Sequence, residues 1–313
     1  EVLGKKSDHM FDFKPRRHLR GHLGKVYAMQ WGNAKTLVSA SQDGKLIVWS
    51  ADLEAKLNLI SLKMAWVMTC AFEQSASQLV ACGGLDNVCS VYKLKPAGNT
   101  ISRAEVELRG HDGYLSCCRF LSPSQILTCS GDSTCVLWDL TRREKIREFT
   151  DHAADVMSVS ISPENPNVFC SGSIEPNVKV WDIRSSRPCT HTFVGHESDV
   201  NAVDFFPDGN AIGTGSEDAS CIIYDLRARG ALNKFTDEQA MLGIFSVNFS
   251  KSGRLLFAGY EEHMCYAWET ISSDLVYHTL GGHTNRVSTV GVNTDGNALC
   301  TGSWDQTLMV WAQ

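Results

Sequence analysis

The sequence predicts an all-β fold, a seven-bladed β-propeller whose ring is closed by an N-terminal strand that completes the last blade. Three observations predict it. A short phrase recurs seven times, its aromatic residue standing at Trp49, Tyr92, Trp138, Trp181, Tyr224, Trp268 and Trp311, at successive spacings of 43, 46, 43, 43, 44 and 43 residues. Between these aromatics apolar and polar residues alternate, as in KLIVW and VKVW, and no 3.6-residue period of note appears. The turn clusters SPS, SPEN, FPDGN, SKSG and NTDGN punctuate the runs at the rhythm of four-stranded antiparallel sheets, one per unit, repeated around an axis.

Each unit carries further markers. Six residues before the aromatic stands an acid: Asp43, Asp86, Asp132, Glu175, Asp218, Glu262 or Asp305. Four residues before that acid comes Ser39, Cys82, Thr128, Ser171, Thr214, Ala258 or Thr301. Five units add a histidine 27 to 29 residues ahead of the aromatic: His22, His111, His152, His196 and His283. A turn acid, an imidazole from the preceding loop, a strand hydroxyl and an indole N–H can form one buried hydrogen-bond chain, and charge-assisted bonds of this kind contribute about 1.5–3 kcal/mol each. Complete sets are His22, Ser39, Asp43, Trp49; His111, Thr128, Asp132, Trp138; and His283, Thr301, Asp305, Trp311. The unit with His152, Ser171 and Trp181 uses Glu175 as its acid, and the one with His196, Thr214 and Asp218 offers the phenol of Tyr224 in place of an indole. The units ending at Tyr92 and Trp268 lack the histidine and are expected to be looser.

A short strand precedes each Gly-His or Asp-His, as in AEVELRGH and KIREFTDH, and the first such strand, within FKPRRHLRGH, has no unit of its own. The last unit, ending two residues from the C-terminus, lacks an outer strand. Pairing Lys14 to Leu19 with it closes the ring and covers an edge that would otherwise be open to aggregation. Residues 14–313 thus form the propeller, and residues 1–13 are a lead-in. No Pro/Gly/Ser-rich linker divides the 313 residues, and the chain is 43% hydrophobic.

Several function classes are disfavoured. A net charge of −6 gives no electrostatic reason to bind phosphate backbones, so nucleic acid is not an expected partner. The twelve cysteines lack the CxxC spacing of metal sites and read as buried thiols of a reducing compartment. No apolar run approaches the ~18 residues of a membrane span, and the sequon Asn248-Phe249-Ser250 falls in a strand-like run, where it reads as chance. Ser, His and Asp recur blade after blade, without a Gly-x-Ser-x-Gly elbow and with the hydroxyl mid-strand, which speaks against a hydrolase. Neither metal, cofactor nor catalytic residues are expected.

A working surface follows from geometry. If each histidine bonds the acid of its own blade, the loop entering the blade and its second turn share one end of the ring. Offsets from the histidine and the acid then bring Tyr27, Trp66, Met68, Leu85, Tyr114, Met157 and Trp304 round one mouth of the channel, with Asp155, Asp199 and Glu217 on the opposite arc. Aromatic and Met anchors ringed by charge are the residue types of protein–protein hot spots.

The repeat, with Gly-His, Ser/Thr, turn Asp and Trp-Asp, is that of the WD-repeat family. The phrases LRGHLGKVYAMQW, VACGGLDNVCSVY, GYLSCCRF, SGDSTCVLWD and ALCTGSWDQTLMVW resemble the β subunits of heterotrimeric G proteins in particular, from the first blade to the last. The resemblance implies a non-enzymatic transducer of signals from G protein-coupled receptors, cytoplasmic and held at the inner face of the plasma membrane through its partners. It would bind the GDP-bound α subunit and, when released, effectors. Positions matching the family's α-contacting surface are Lys25, Tyr27, Trp66, Met68, Leu85, Asn87, Tyr114, Asp155, Met157, Asp199, Asn201, Glu217 and Trp304, with Leu23, Lys45, Ile47 and Lys56 matching the flank that receives the α subunit's N-terminal helix. The family's own N-terminal helix, which coils with a lipidated γ subunit, has no counterpart in the heptad-free residues 1–13, so this sequence offers γ a trimmed contact, a weak one or none. An alternative remains in WDIR and YDLR, whose Arg184 and Arg227 resemble the ending by which some WD-repeat proteins recruit substrates to cullin ubiquitin ligases.

Overall fold

The computed structural model describes residues 13–237, 242–272, 275–277 and 280–312. Seven antiparallel sheets follow one another along the chain and meet through their inner strands around a central channel. Blade 1 begins with the inner strand Val26–Trp31 and blade 7 with Val287–Val292, and these two touch as neighbouring inner strands do elsewhere in the ring. Strand formation follows the alternation in the sequence: β-branched and aromatic side chains of one strand face alternate between the two inter-blade clusters that flank each sheet. The lead-in lies outside the described residues except for Phe13, which packs edge-on against Phe257 with ring centroids 5.6 Å apart.

The ring closes as the orphan strand requires. Lys14–Arg20 pairs antiparallel with Thr307–Ala312, Leu19 opposite Leu308 and Lys14 opposite Ala312. Leu19 is the buried residue of this otherwise exposed strand, and it joins Trp31, Ile47 and Trp49 of blade 1 in one core cluster. It therefore links the two ends of the chain through packing as well as through the sheet.

One sheet departs from the expected four strands. In blade 1 the order is extended by Asn99–Ile101, which runs parallel to the outer strand Ala55–Ser61 and pairs Asn58 with Asn99 and Ile60 with Ile101. The excursion lies between the third and outer strands of blade 2, in the unit whose spacing is 46 instead of 43 or 44 residues. Its extra length lets Ile101 bury itself against blade 1, while Asn58 Nδ2 donates to Lys95 O at 3.1 Å.

Inner strands of adjacent blades are joined by side chains rather than by a ladder. Gln30 Oε1 accepts from Phe72 N at 2.8 Å, Thr69 Oγ1 from Cys118 N at 3.1 Å, Ser158 Oγ from Val203 N at 3.3 Å and Asp204 Oδ2 from Phe249 N at 3.0 Å. Ser246 Oγ accepts from Val290 N at 3.0 Å, Thr289 Oγ1 from Met29 N at 3.2 Å, and Ser116 Oγ donates to Val156 O. Each of the seven interfaces thus has a bond that satisfies a backbone group facing away from its own sheet. The sequon residue Asn248 belongs to this belt, donating to Asp204 and accepting from Val292 N. Burial pushes the Asp204 carboxyl up to about 6, against the opposing pull of its three donors and the nearby Arg119.

Removing the buried part of the closing strand tests its role: Leu19→Ala should cost about 3 kcal/mol in urea unfolding, from lost burial plus cavity. Arg20→Ala on the same strand is expected to stay within about 0.5 kcal/mol.

Candidate interaction surface

The loops that carry the rim are fixed by the hydrogen-bond chains between loop and turn. In blade 3, Trp138 Nε1 donates to Thr128 Oγ1 at 2.8 Å, His111 Nε2 lies 2.8 Å from the same hydroxyl, and His111 Nδ1 lies 2.7 Å from Asp132 Oδ2. A neutral imidazole with its proton on Nδ1 completes this sequence, because the hydroxyl can then donate to Nε2. Asp132 also accepts from the loop amide of Asp112 at 3.0 Å and from Thr134. Blades 1 and 7 repeat the arrangement: His22 meets Asp43 at 3.2 Å and Ser39 at 2.7 Å, and His283 meets Asp305 and Thr301 at 2.8 Å each. Trp49 and Trp311 donate to the respective hydroxyls at 2.8 and 2.9 Å. In blade 4 the longer Glu175 reaches His152 at 2.5 Å, and Trp181 donates to Ser171 at 2.8 Å.

Blade 5 corrects the expectation for Tyr224. His196 bonds Asp218 at 3.0 Å and Thr214 at 2.7 Å, and Thr214 Oγ1 lies 3.0 Å from Ile222 O, but the buried Tyr224 hydroxyl has no hydrogen-bond partner among the described residues. The phenol projects past the strand hydroxyl toward Gly195, where a Cβ would meet the Tyr224 oxygen at 2.7 Å. The chain in this blade ends at threonine. In blade 6 Ala258 stands at the hydroxyl's position, so the Trp268 indole N–H has no strand hydroxyl to meet.

The carboxyl pKa values report the same contrast. Burial pushes those of Asp132, Asp218 and Asp305 up, yet the imidazole, the neighbouring hydroxyl and the loop amide outweigh it and hold all three well below the ordinary value. Asp86, in blade 2, one of the two without a histidine, is raised by burial that its backbone bonds do not offset.

The locks of blades 1, 3 and 7 hold the loops and turns that carry Tyr27, Tyr114 and Trp304, and Trp66 joins them from the loop entering blade 2, which has no histidine. Tyr27 stacks on Trp66 with ring centroids 6.2 Å apart and meets Trp304 edge-on at 5.8 Å. Trp304 is clamped between cations, Lys25 Nζ 3.8 Å and the Arg286 guanidinium 4.1 Å from its ring. Arg286 also covers Phe245 and pairs with Glu261. Trp66 is 44% exposed and Leu85 53% exposed, so this group is an uncovered apolar patch rather than a blade contact. Trp66 holds φ near +66°, and Gly84 makes that possible, since a Cβ there would meet Trp66 O at 2.1 Å. Gly131 makes room in the same way for the Tyr114 ring.

The acidic arc, on blades 4 and 5, meets the aromatics at the boundary of blades 3 and 4. Tyr114 Oη donates to Asp155 at 2.9 Å and lies 3.6 Å from the Met157 sulfur. Asn201 Nδ2 donates to Glu217 at 2.9 Å, Asp199 O accepts from Glu217 N, and Asn87 Nδ2 donates to Asp112 O. Met68, Met157 and Asn201 line the channel mouth with Tyr27. On the flank of blade 1, Leu23 is 76% exposed, Lys45 is half-buried, and Lys56 reaches over the Trp49 ring. Ile47 is a correction: it has no exposed surface and packs with Leu19, Leu37 and Trp49, because its strand is buried on both faces, Leu46 and Val48 against blade 2 and Ile47 against blade 7. Arg286 and Phe245, which hold the same loop offsets as Lys25 and Tyr27, complete the patch.

Arg184 and Arg227 lie in turns between third and outer strands, apart from this surface. Arg184 makes a two-pronged pair with Asp182 at 3.0 and 2.8 Å, and Arg227 bonds Asp225 at 3.4 Å. Each arginine is engaged by the acid of its own turn.

Comparison with known proteins bears on this geometry. A family model described as G protein beta WD-40 repeat protein matches residues 6–312. The chain belongs to this family. It is 47% identical to a guanine nucleotide-binding protein subunit beta of Nicotiana tabacum, over 95% of this chain and 83% of that protein. It is 46% identical to one of Arabidopsis thaliana and 44% identical to one of Oryza sativa subsp. japonica, in each case over 95% of this chain and 82% of the other. Within such a G protein β propeller, the blade locks determine where the rim stands.

A folded carboxyl held below its unfolded value stabilises the protein at every pH above the unfolded value near 3.8 and ceases to do so as the pH falls below it. Asp132→Asn should therefore cost about 2 kcal/mol in urea unfolding at pH 7, and the gap to the parent should narrow as the pH is taken below about 4.

Proposed function

We propose that the aromatic rim is the surface on which a GDP-bound α subunit docks and which effectors occupy once α has left. The observation that carries this reading is the uncovered cluster of Trp66, Tyr27 and Trp304, held by cations on one side and continuous with Tyr114, Met157 and the acids of blades 4 and 5 on the other. Such a patch gives large apolar contact area from side chains that are already ordered, so little entropy is lost on binding. Membership of the G protein β family supports the choice of partner.

The mechanism is competition for one surface. Nucleotide exchange rearranges the α subunit's switch segments, its affinity for the rim falls, and the exposed aromatics become available to effectors. The chain does no chemistry of its own in this reading, because the imidazoles and turn acids resembling a hydrolytic set are bonded to one another inside the blades. Leu23, Lys45 and Lys56 would receive the α subunit's N-terminal helix on the flank, and a γ subunit would bring the complex to the cytoplasmic face of the plasma membrane.

Trp66→Ala should weaken binding of a GDP-loaded α subunit by about 2 kcal/mol, roughly thirtyfold in Kd, with Tm unchanged. Titration by surface plasmon resonance, with calorimetry of the variant, checks both halves. An unaltered Kd would remove the rim from the interface.

A further inference from the structure

Blade 3 carries three thiols in one row across its strands. Cys117 on the inner strand Leu115–Ser122 stands directly opposite Cys129 on the second strand Gln125–Ser130, and Cys129 stands opposite Cys135 on the third. All three belong to the cluster packed against blade 4, whereas the adjacent Cys118 faces the other way into the cluster shared with blade 2. Directly opposed residues of an antiparallel pair have Cα atoms about 4.5–5.5 Å apart, within the span of about 4.4–6.8 Å that a disulfide bridges. The Cys129 sulfur lies 3.3 Å from Ser116 Oγ, and the Cys117 sulfur lies 3.9 Å from Val159 O.

The three thiols differ in access. Cys117 lines the central channel, whose volume is about 1030 Å³, while Cys129 and Cys135 have no exposed surface. Arg119 lines the same channel two residues on, its guanidinium donating to Cys118 O at 2.7 Å. The hydrogen bond from Cys129 and the Arg119 charge hold the Cys117 thiol below its ordinary value against the effect of burial, and burial together with the neighbouring sulfur holds Cys129 above it. The sulfur held more acidic thus belongs to the residue that lines the channel, itself only 5% exposed, and the second residue stands opposite it on the neighbouring strand.

We propose that Cys117 and Cys129 form a peroxide-oxidisable dithiol, with Cys117 attacked through the channel and Cys129 resolving it. The Cys117 thiolate attacks one oxygen of hydrogen peroxide; the S–O bond forms, the O–O bond breaks, and the departing hydroxide takes up a proton as water. Cys129 sulfur then attacks the sulfenic acid; the S–S bond forms, the S–O bond breaks, and the leaving hydroxide takes the Cys129 proton as a second water. Both thiols are oxidised and one peroxide is reduced. This inference does not depend on the partner assigned to the rim.

The full chain, treated with hydrogen peroxide, alkylated and digested, should yield a cross-link between Cys117 and Cys129 that is lighter by two hydrogens and reversed by dithiothreitol. Cys135→Ser should retain the cross-link, and Cys129→Ser should lose it and leave a Cys117 sulfenic acid that dimedone traps. Mapping in the unsubstituted protein decides the matter even if a variant fails to fold. Cys117 left as a free thiol under conditions that oxidise the half-buried Cys189, or a bond formed by Cys118 or between Cys129 and Cys135, would overturn the proposal.

Discussion

The turn carboxylate that meets a loop imidazole in five of the blades is the constraint on which the working face most depends. In blades 1, 3, 5 and 7 it accepts at once from the imidazole of the preceding loop, from that loop's backbone amide and from its own turn. One ionised group therefore ties two loops that come from different sheets. The loop between blades is otherwise a short connector with few partners, and its position would be set only by the strands at its ends. With the tie, the residues three and five places after the histidine are held at fixed points of the rim, which is how Lys25 and Tyr27 come to meet Trp304.

The second requirement is that fourteen sheet edges find something to do. The closing strand covers one edge, the parallel segment Asn99–Ile101 covers another, and the side-chain belt satisfies backbone groups on the inner strands. Because the belt runs through every interface, a displacement of one inner strand is felt by its neighbours. The apolar clusters between blades act in the same direction, each drawing side chains from two adjacent sheets. Rigidity of the rim follows from these lateral links together with the carboxylate ties.

Much of this was legible in the sequence because the repeat aligns its own units. Acid, hydroxyl and aromatic sit at constant offsets, so the hydrogen-bond chain could be read from residue types alone, and the orphan strand at Lys14 implied closure. What escaped notice depends on distances the repeat does not encode. Tyr224 occupies the indole's position, but a phenol puts its oxygen further along the ring axis, and the bond to Thr214 is lost. Ile47 matches a surface position by resemblance, while its strand is covered on both faces by neighbouring blades. The belt joins residues such as Ser158 and Val203 that lie in different units, and only the stagger between neighbouring blades makes them partners. The fifth strand of blade 1 left a trace in the longer spacing after Tyr92, which gives length but not direction.

Hydrogen exchange followed residue by residue measures the proposed tie directly. The amides of Leu23, Asp112, Glu197 and Thr284 lie on exposed loops and donate to the turn acids at 2.8, 3.0, 2.9 and 3.1 Å. If the carboxylate locks set the rim, these four amides should exchange as slowly as those of the strands they join, and the amide of Met64, at the corresponding place in blade 2, which has no histidine, should exchange much faster. Fast exchange at all five would contradict the account and leave the rim held by strand packing alone.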